Sequence, residues 1–310
     1  MKRTTILFFL LVLTLSNCAL ADTFGSGANA FDIQFVTIGS PGNVADLSVP
    51  GATDPPGAVD HLYRMAKFEI SAAMIDKANA LSAQTGNPLG ITRASTANTD
   101  TAAFFIAWHE AASFVNWLNT STGAVSAYKF NVSGDVVPWV PGDMGYDPNN
   151  KQRNSQAKYF LPTDDEWYKA AYYNPQTGAY YDYATGSDTV PTRVSGGTAA
   201  NTAVYSSIGN FTPGPAVITN AGGLSAYGTM AQEGNVWEWL EDPVDSDPDL
   251  RYYRGEAFHN IELTHTRFDR SGSLNAASGS LGIRVASSVP EPSTLLLAAV
   301  GLPMLLRRRR

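Results

Sequence analysis

Residues 254–270 read RGEAFHNIELTHTRFDR and hold half of the chain's four histidines, His259 and His265, among Glu256, Glu262 and Asp269. Two imidazoles and a carboxylate on one open face are the donor set of a non-haem iron centre. On a continuous strand the two histidines share a side but stand roughly 20 Å apart, at about 3.3 Å per residue. Glu262 then faces away from His259. A loop could fold the histidines together. The competing reading is a polar segment whose acids pair with Arg267 and Arg270.

Other residue types that could do chemistry have a simpler reading. Asp164, Asp165 and Glu166 could form an acid/base cluster, but they follow Thr163 at the start of a helical pattern, where carboxylates complement the helix dipole. Trp108, Trp167, Trp237 and Trp239 could stack on sugars, although such residues are more often core. Asn131-Val132-Ser133 matches a glycosylation sequon, read as chance. No Ser-His-Asp order, phosphate loop or zinc spacing stands out.

These residues need elements to position them. AFDIQFVTIGSPGN (30–43) predicts a strand closed by a turn. In 61–71, Leu62, Ala66, Phe68 and Ile70 alternate on one face, with Arg64 the exception, and Ser71 then caps a helix over about 72–83. The spacing of Phe104, Trp108, Ala111, Ala112, Val115 and Leu118 predicts a helix over 101–119, capped by Asp100 or Thr101. Residues 161–175 predict a further helix, opened by a Thr163/Glu166 capping box and stopped at Asn174-Pro175. Residues 122–158 and 176–230 read as long loops. Three strand-like segments, 234–242, 252–260 and 280–288, follow. The expected class is α+β: one domain of short strands, two or three helices and long loops.

The termini set the compartment. Lys2 and Arg3 precede an apolar run from Ile6 to Leu15 and then Ala19-Leu20-Ala21, the layout of a secretory signal peptide (1–21) cleaved after Ala21. Cys18 is the only cysteine, so the mature chain has none; lipidation of Cys18 is the competing reading. At the other end (289–310), VPEPSTLLLAAVGLPMLLRRRR places Pro290-Glu291-Pro292 before an apolar run, Ser293 to Leu306, that is short against the roughly 20 residues of a membrane span. Four arginines close the chain. This layout resembles the PEP-CTERM sorting signal, which implies processing by an exosortase-type enzyme after signal peptidase, and a transient membrane anchor; a plain tail anchor is the alternative. Without both signals the 22–288 domain retains 15 basic and 27 acidic residues, a net charge near −12. That argues against nucleic acid as a partner.

Within 22–288, MAKFEIS (65–71), IAWHEAASFVNWLN (106–119), FLPTDDEWYKAAYY (160–173), GNVWEWLED (234–242), YYRGEAF (252–258) and GIRVAS (282–287) resemble, in order and near spacing, the sulfatase-modifying-factor, or formylglycine-generating-enzyme-like, domain. The likeness covers about residues 32–287 and implies a C-type-lectin-type fold. It also implies, in the catalytic members, copper held by two cysteines just after an Arg-Gly-Gly-Ser-aromatic motif, oxidising a cysteine of a client sulfatase. Here that motif reads Arg254-Gly255-Glu256-Ala257-Phe258, and the two cysteine positions fall at Asn260 and His265. Copper(I) prefers thiolates, so the thiolate mechanism is unavailable to this chain. An altered site would draw on His259, Asn260, His265 and Glu256. The resemblance further implies calcium, with Asn201 and Glu238 at ligand-like positions, although Ala231 stands where an Asn or Asp is usual.

The expectation is an exported envelope or extracellular protein, its domain a non-catalytic module for an unknown surface protein or polysaccharide. The alternative is a formylglycine-generating-type oxidoreductase with altered metal ligands.

Overall fold

The computed structural model describes residues 20–206, 214–244, 247–261, 271–274 and 279–289. The apolar parts of the leader and tail, Cys18, Glu262, His265 and Asp269 lie outside them. Among the described residues no helix is long and apolar enough to cross a membrane.

The chain opens with β1 (Leu20–Phe24), antiparallel to β2 (Phe31–Ile38). In β2, Phe31, Ile33 and Phe35 turn inward while Asp32 and Gln34 face out, the period of a half-buried strand. β3 (Tyr63–Ala66) corrects the expected alternation: Tyr63, Arg64, Met65 and Ala66 are all buried, and Leu62 is 48% exposed. The cause is position, because β3 lies inside its sheet and is covered on both faces. Arg64 can be buried because its Nη1 and Nη2 donate to Asp22 Oδ1 and Oδ2 at 3.1 and 2.7 Å, with a further bond to Ser287 Oγ at 2.7 Å. The carboxylate supplies the counter-charge that a buried guanidinium requires.

α1 (Ala72–Gln84) starts where Ser71 caps it, Oγ accepting from Met74 N. α2 (Trp108–Ser121) starts seven residues later than expected. The apolar run before it is not its first turns: Thr101 and Ala102 form bridges to Val217 and Ser71, and Phe105 takes φ +63°, which breaks the helix. Glu110, not Asp100 or Thr101, closes the start, its Oε2 accepting from Ala107 N at 2.8 Å. From Trp108 onward the expected stripe holds, with Trp108, Ala111, Ala112, Val115 and Leu118 buried.

The predicted loop 122–158 contains a hairpin, β4 (Lys129–Phe130) with β5 (Val136–Val137), before β6 (Tyr159–Phe160). α3 (Asp164–Tyr172) carries the capping box: Glu166 N donates to Thr163 Oγ1 at 3.2 Å and Thr163 N to Glu166 Oε2 at 2.9 Å. β7 (Thr192–Val194) and β8 (Thr202–Val204) form a parallel pair within 176–230. β9 (Trp237–Val244), β10 (Asp247–Arg254), β11 (Ser271–Leu274), β12 (Leu281–Gly282) and β13 (Ala286–Ser288) follow.

One sheet has the order β1-β2-β3-β13-β6 and a second β11-β10-β9-β12. The class is therefore α+β, with three α-helices and mostly short strands among the described residues. Two tryptophans tie helices to β9, and a third ties β9 to the segment just before α2. Trp108 Nε1 donates to Leu240 O at 2.7 Å, Trp239 Nε1 to Ile106 O at 2.8 Å and Trp167 Nε1 to Glu238 Oε2 at 2.6 Å. All three are fully buried, which makes them core rather than a sugar platform. Trp237 is half-buried, edge-on to Tyr253 at 5.1 Å.

Candidate functional site

The corner after β10 is where thiol chemistry would sit. Arg254 forms a buried ion pair with Asp164, its Nη2 at 3.1 Å from Oδ2, and lies 5.0 Å over the Tyr168 ring. Gly255 at φ +104° is required by contact, since a Cβ would stand 2.9 Å from Gln232 O. Glu256 follows at φ +61° and is fully buried. Phe258 packs edge-on to Phe104 at 5.6 Å. Asn260 brackets this turn: Oδ1 accepts from Ala257 N at 3.2 Å and its carbonyl from Ser206 N at 2.8 Å. His259 is exposed beside Phe258, and partial desolvation lowers its pKa.

His265 lies outside the described residues, so its distance to His259 is not part of this geometry. Among the described residues no three His, Cys, Asp or Glu side chains group as metal ligands. A hard amide oxygen already committed to a turn does not fit thiolate-type copper.

The calcium expectation does not fit Glu238 either. This carboxylate is fully buried and receives Arg284 Nη2 on Oε1 at 2.6 Å, Arg284 Nε on Oε2 at 2.8 Å and Trp167 Nε1 on Oε2. A guanidinium already holds the place a cation would take. Beside it, burial and the Glu238 charge push the pKa of Glu69 well up, while Asn235 Nδ2 donates to its Oε2 and Val236 N to its Oε1. Asn201, at φ +50°, accepts from Thr185 Oγ1 at 2.8 Å, and no hydrogen bond among the described residues joins it to Glu238.

A concave feature lies elsewhere, at the start of α3: a cleft of about 940 Å³ whose walls include His61, Lys151, Arg153, Asp165, Glu166 and Asp242. A smaller cleft of about 460 Å³ adjoins it and shares Asp165 and Asp242. The segment 40–62 lines both clefts and is strapped onto α3. Gly57 N donates to Asp165 Oδ1 at 2.7 Å, Tyr168 Oη to Asp46 Oδ2 at 2.7 Å and Lys169 Nζ to Ser40 O at 2.8 Å.

His61 completes the strap, with Nε2 2.9 Å from Glu166 Oε1 and Nδ1 2.9 Å from Asp60 Oδ1. The Glu166 hydrogen bond raises its pKa against the opposing effect of burial. A carboxylate beside each nitrogen favours the imidazolium form and suits the ring to a fastening role. Burial would raise the pKa of Glu166, but Arg153 and His61 outweigh it and hold it down at about 2. Asp165 is pushed up to about 6 by burial with the charges of Asp164 and Asp54, and Asp242 to about 8 by burial with Asp164 and Glu241.

The three acids of the first helical turn thus do more than complement its dipole. Asp164 holds β10, Asp165 and Glu166 both hold the strap, through Gly57 and His61, and Glu166 also holds Arg153. Sequence reasoning passed over His61. The one local signal is the Asp60-His61 pair; its other partner is 105 residues away.

A family model described as the sulfatase-modifying factor enzyme 1-like domain matches residues 60–289. Three solved structures share the fold. CarF superposes with a TM-score of 0.60 at 18% identity, covering 83% of this chain and 99% of that one. Treponema denticola variable protein 1 gives 0.56 at 19%, covering 88% and 100%. PvdO from Pseudomonas aeruginosa gives 0.51 at 13%, covering 86% and 98%. No individually curated protein matches the chain. With the ordered motifs, the buried tryptophans and the Arg254 corner all set in that fold, the chain belongs to the family of sulfatase-modifying factor enzyme 1-like domains.

Proposed function

We propose that this chain is an exported cell-surface or extracellular-matrix protein whose domain is a non-catalytic module that binds a protein or polysaccharide partner. The observation that carries the reading is the place of Asn260. It stands at the first thiolate position of the family motif, and its amide oxygen is spent on Ala257 N. A residue there that brackets its own turn has a structural task, and the second thiolate position, His265, adds only an imidazole. The leader and the Pro290-Glu291-Pro292 tail support export through signal peptidase and an exosortase-type enzyme. The cleft at the start of α3 supplies a surface of the size that ligands occupy.

Residues 22–288, purified from an exporting host without chelator, are expected to carry no stoichiometric copper or iron by elemental analysis. In a pull-down they should retain an envelope polysaccharide or surface protein. Stoichiometric copper or iron, lost together with turnover in the His259→Ala/His265→Ala variant, would instead establish an oxidoreductase with altered ligands.

A further inference from the structure

The two clefts at the start of α3 meet at Asp165, Asp242 and Pro243, which line both. The larger, about 940 Å³, is at the upper end of the roughly 300–1,000 Å³ that small ligands fill, and the smaller adds about 460 Å³. A groove of that size suits several units of a polymer.

One wall is set before any ligand arrives. Asn149 N donates to Asp147 Oδ1 at 2.9 Å, Gln152 N to Asn150 Oδ1 at 3.0 Å and Trp139 N to Lys151 O at 2.8 Å. The Asn149 and Gln152 amides and the Lys151 ammonium line the larger cleft, with no side-chain hydrogen bond or ion pair among the described residues. At the junction, Gly57 N donates to Asp165 Oδ1 and Asp164 N to Asp242 Oδ2, at 2.7 and 2.6 Å. The second oxygen of each carboxyl has no hydrogen bond among the described residues. The smaller cleft adds apolar surface, with half-buried Val49, Pro243 and Tyr252 near exposed Asp54. Amides and carboxyls can bond hydroxyls, and an aromatic ring beside aliphatic surface can take the C–H face of a sugar.

A peptide is served less well. The sheet edge beside the larger cleft, the outer side of β6, is closed: Asn119 Nδ2 donates to Tyr159 O at 2.7 Å, Tyr159 N to Asn119 Oδ1 at 3.0 Å and Leu161 N to Tyr128 Oη at 2.8 Å. An extended peptide finds no backbone ladder to join there.

Charge narrows the class of glycan. His61 and Arg153 offset Asp60 and Glu166, and Arg254 offsets Asp164. Lys151 then stands against Asp54, Asp147 and Asp165, while Asp242, its pKa pushed up to about 8, keeps its proton at neutral pH. The groove is therefore net acidic and repels an acidic polymer.

We propose, resting on the binding reading above, that the joined clefts bind a linear polysaccharide without acidic groups, its rings against Tyr252 and Pro243 and its hydroxyls on Asn149, Gln152, Asp54 and Asp165.

Affinity electrophoresis of the protein purified from an exporting host tests this with a soluble β-glucan, a mannan, a galactan and, as the acidic polymer, alginate. At least one neutral polymer is expected to retard migration, and alginate to leave it unchanged. No retardation by the three neutral polymers, or equal retardation by alginate, would overturn the assignment. Asp54→Ala and Gln152→Ala remove side chains that hold nothing else among the described residues, so the fold is kept. Each is expected to weaken the retardation several-fold, and Tyr252→Ala, with its melting temperature checked, about tenfold. Ser133→Ala, at the turn joining β4 and β5, should change nothing. Unchanged affinity in both Asp54→Ala and Gln152→Ala would overturn the groove as the site, while a partner captured in the pull-down would still uphold the binding reading. A surface protein captured there, and lost in those two variants, would overturn the glycan in favour of a protein ligand.

Discussion

Asp242 shows how a single carboxyl sets a pH dependence. Its pKa is pushed from the usual 3.8 up to about 8 by burial and by the Asp164 and Glu241 charges. Between those values the folded chain keeps a proton that the unfolded chain releases. This group's contribution to stability is therefore complete below pH 4 and is lost as pH climbs to about 8, by up to about 1.4 kcal/mol per pH unit. Asp165, raised to about 6, acts with the same sign over a narrower window. Glu166, held at about 2, acts oppositely and only in acid, where stability falls as it protonates. Asp242→Asn keeps an acceptor for Asp164 N and removes the titration. Its melting temperature, measured from pH 5 to pH 8, should gain on the parent as pH rises; parallel curves would show that Asp242 does not carry the effect.

At the scale of elements, β1 has a role that its edge position hides. Predicted cleavage after Ala21 removes Leu20 and Ala21, the two residues opposite Phe35 and Gln34, and keeps Asp22, Thr23 and Phe24. Asp22 is the counter-charge for buried Arg64 and also accepts from Tyr159 Oη at 2.7 Å. Phe24 is 1% exposed and sits edge-on to Tyr159 at 5.0 Å. A chain beginning at Asp22 should thus fold with near-full stability. One beginning at Gly25 leaves a buried guanidinium without its carboxylate and should lose about 3 kcal/mol or more in urea unfolding. Equal midpoints for the two chains would refute this role for Asp22.

At the scale of the molecule, residues 281–288 belong to both sheets: β12 pairs with β9 in one, and β13 with β3 and β6 in the other. Arg284 lies between them, fully buried. It donates to Glu238 on β9, to Ala66 O at 2.9 Å and to Met230 O at 2.7 Å. Replacing Arg284 by Met leaves Glu238 buried and unpaired, and should cost about 3–5 kcal/mol by urea unfolding. The double change Arg284→Met/Glu238→Met should recover much of that loss, because the orphaned charge goes too. No recovery would mean that Arg284 acts through its carbonyl contacts rather than through the ion pair.

The parts legible in the sequence are those decided by neighbours along the chain. The Thr163/Glu166 box, the Ser71 cap, the buried stripe of α2 and the class of fold follow from spacing, because capping bonds and helical faces are local. Absence of a second thiol was legible too, since chemistry that needs cysteine cannot be assembled without it. What tertiary structure alone decided are the pairings across long separations. Phe105 breaks a pattern that reads as helix, and Arg64 is buried because Asp22 meets it. Glu238 is claimed by Arg284 before any metal could use it, and His61 finds Glu166 across the strap. In each case the deciding term is the desolvation of a charge or the path of a strand, and both depend on what the fold brings alongside rather than on the residue itself.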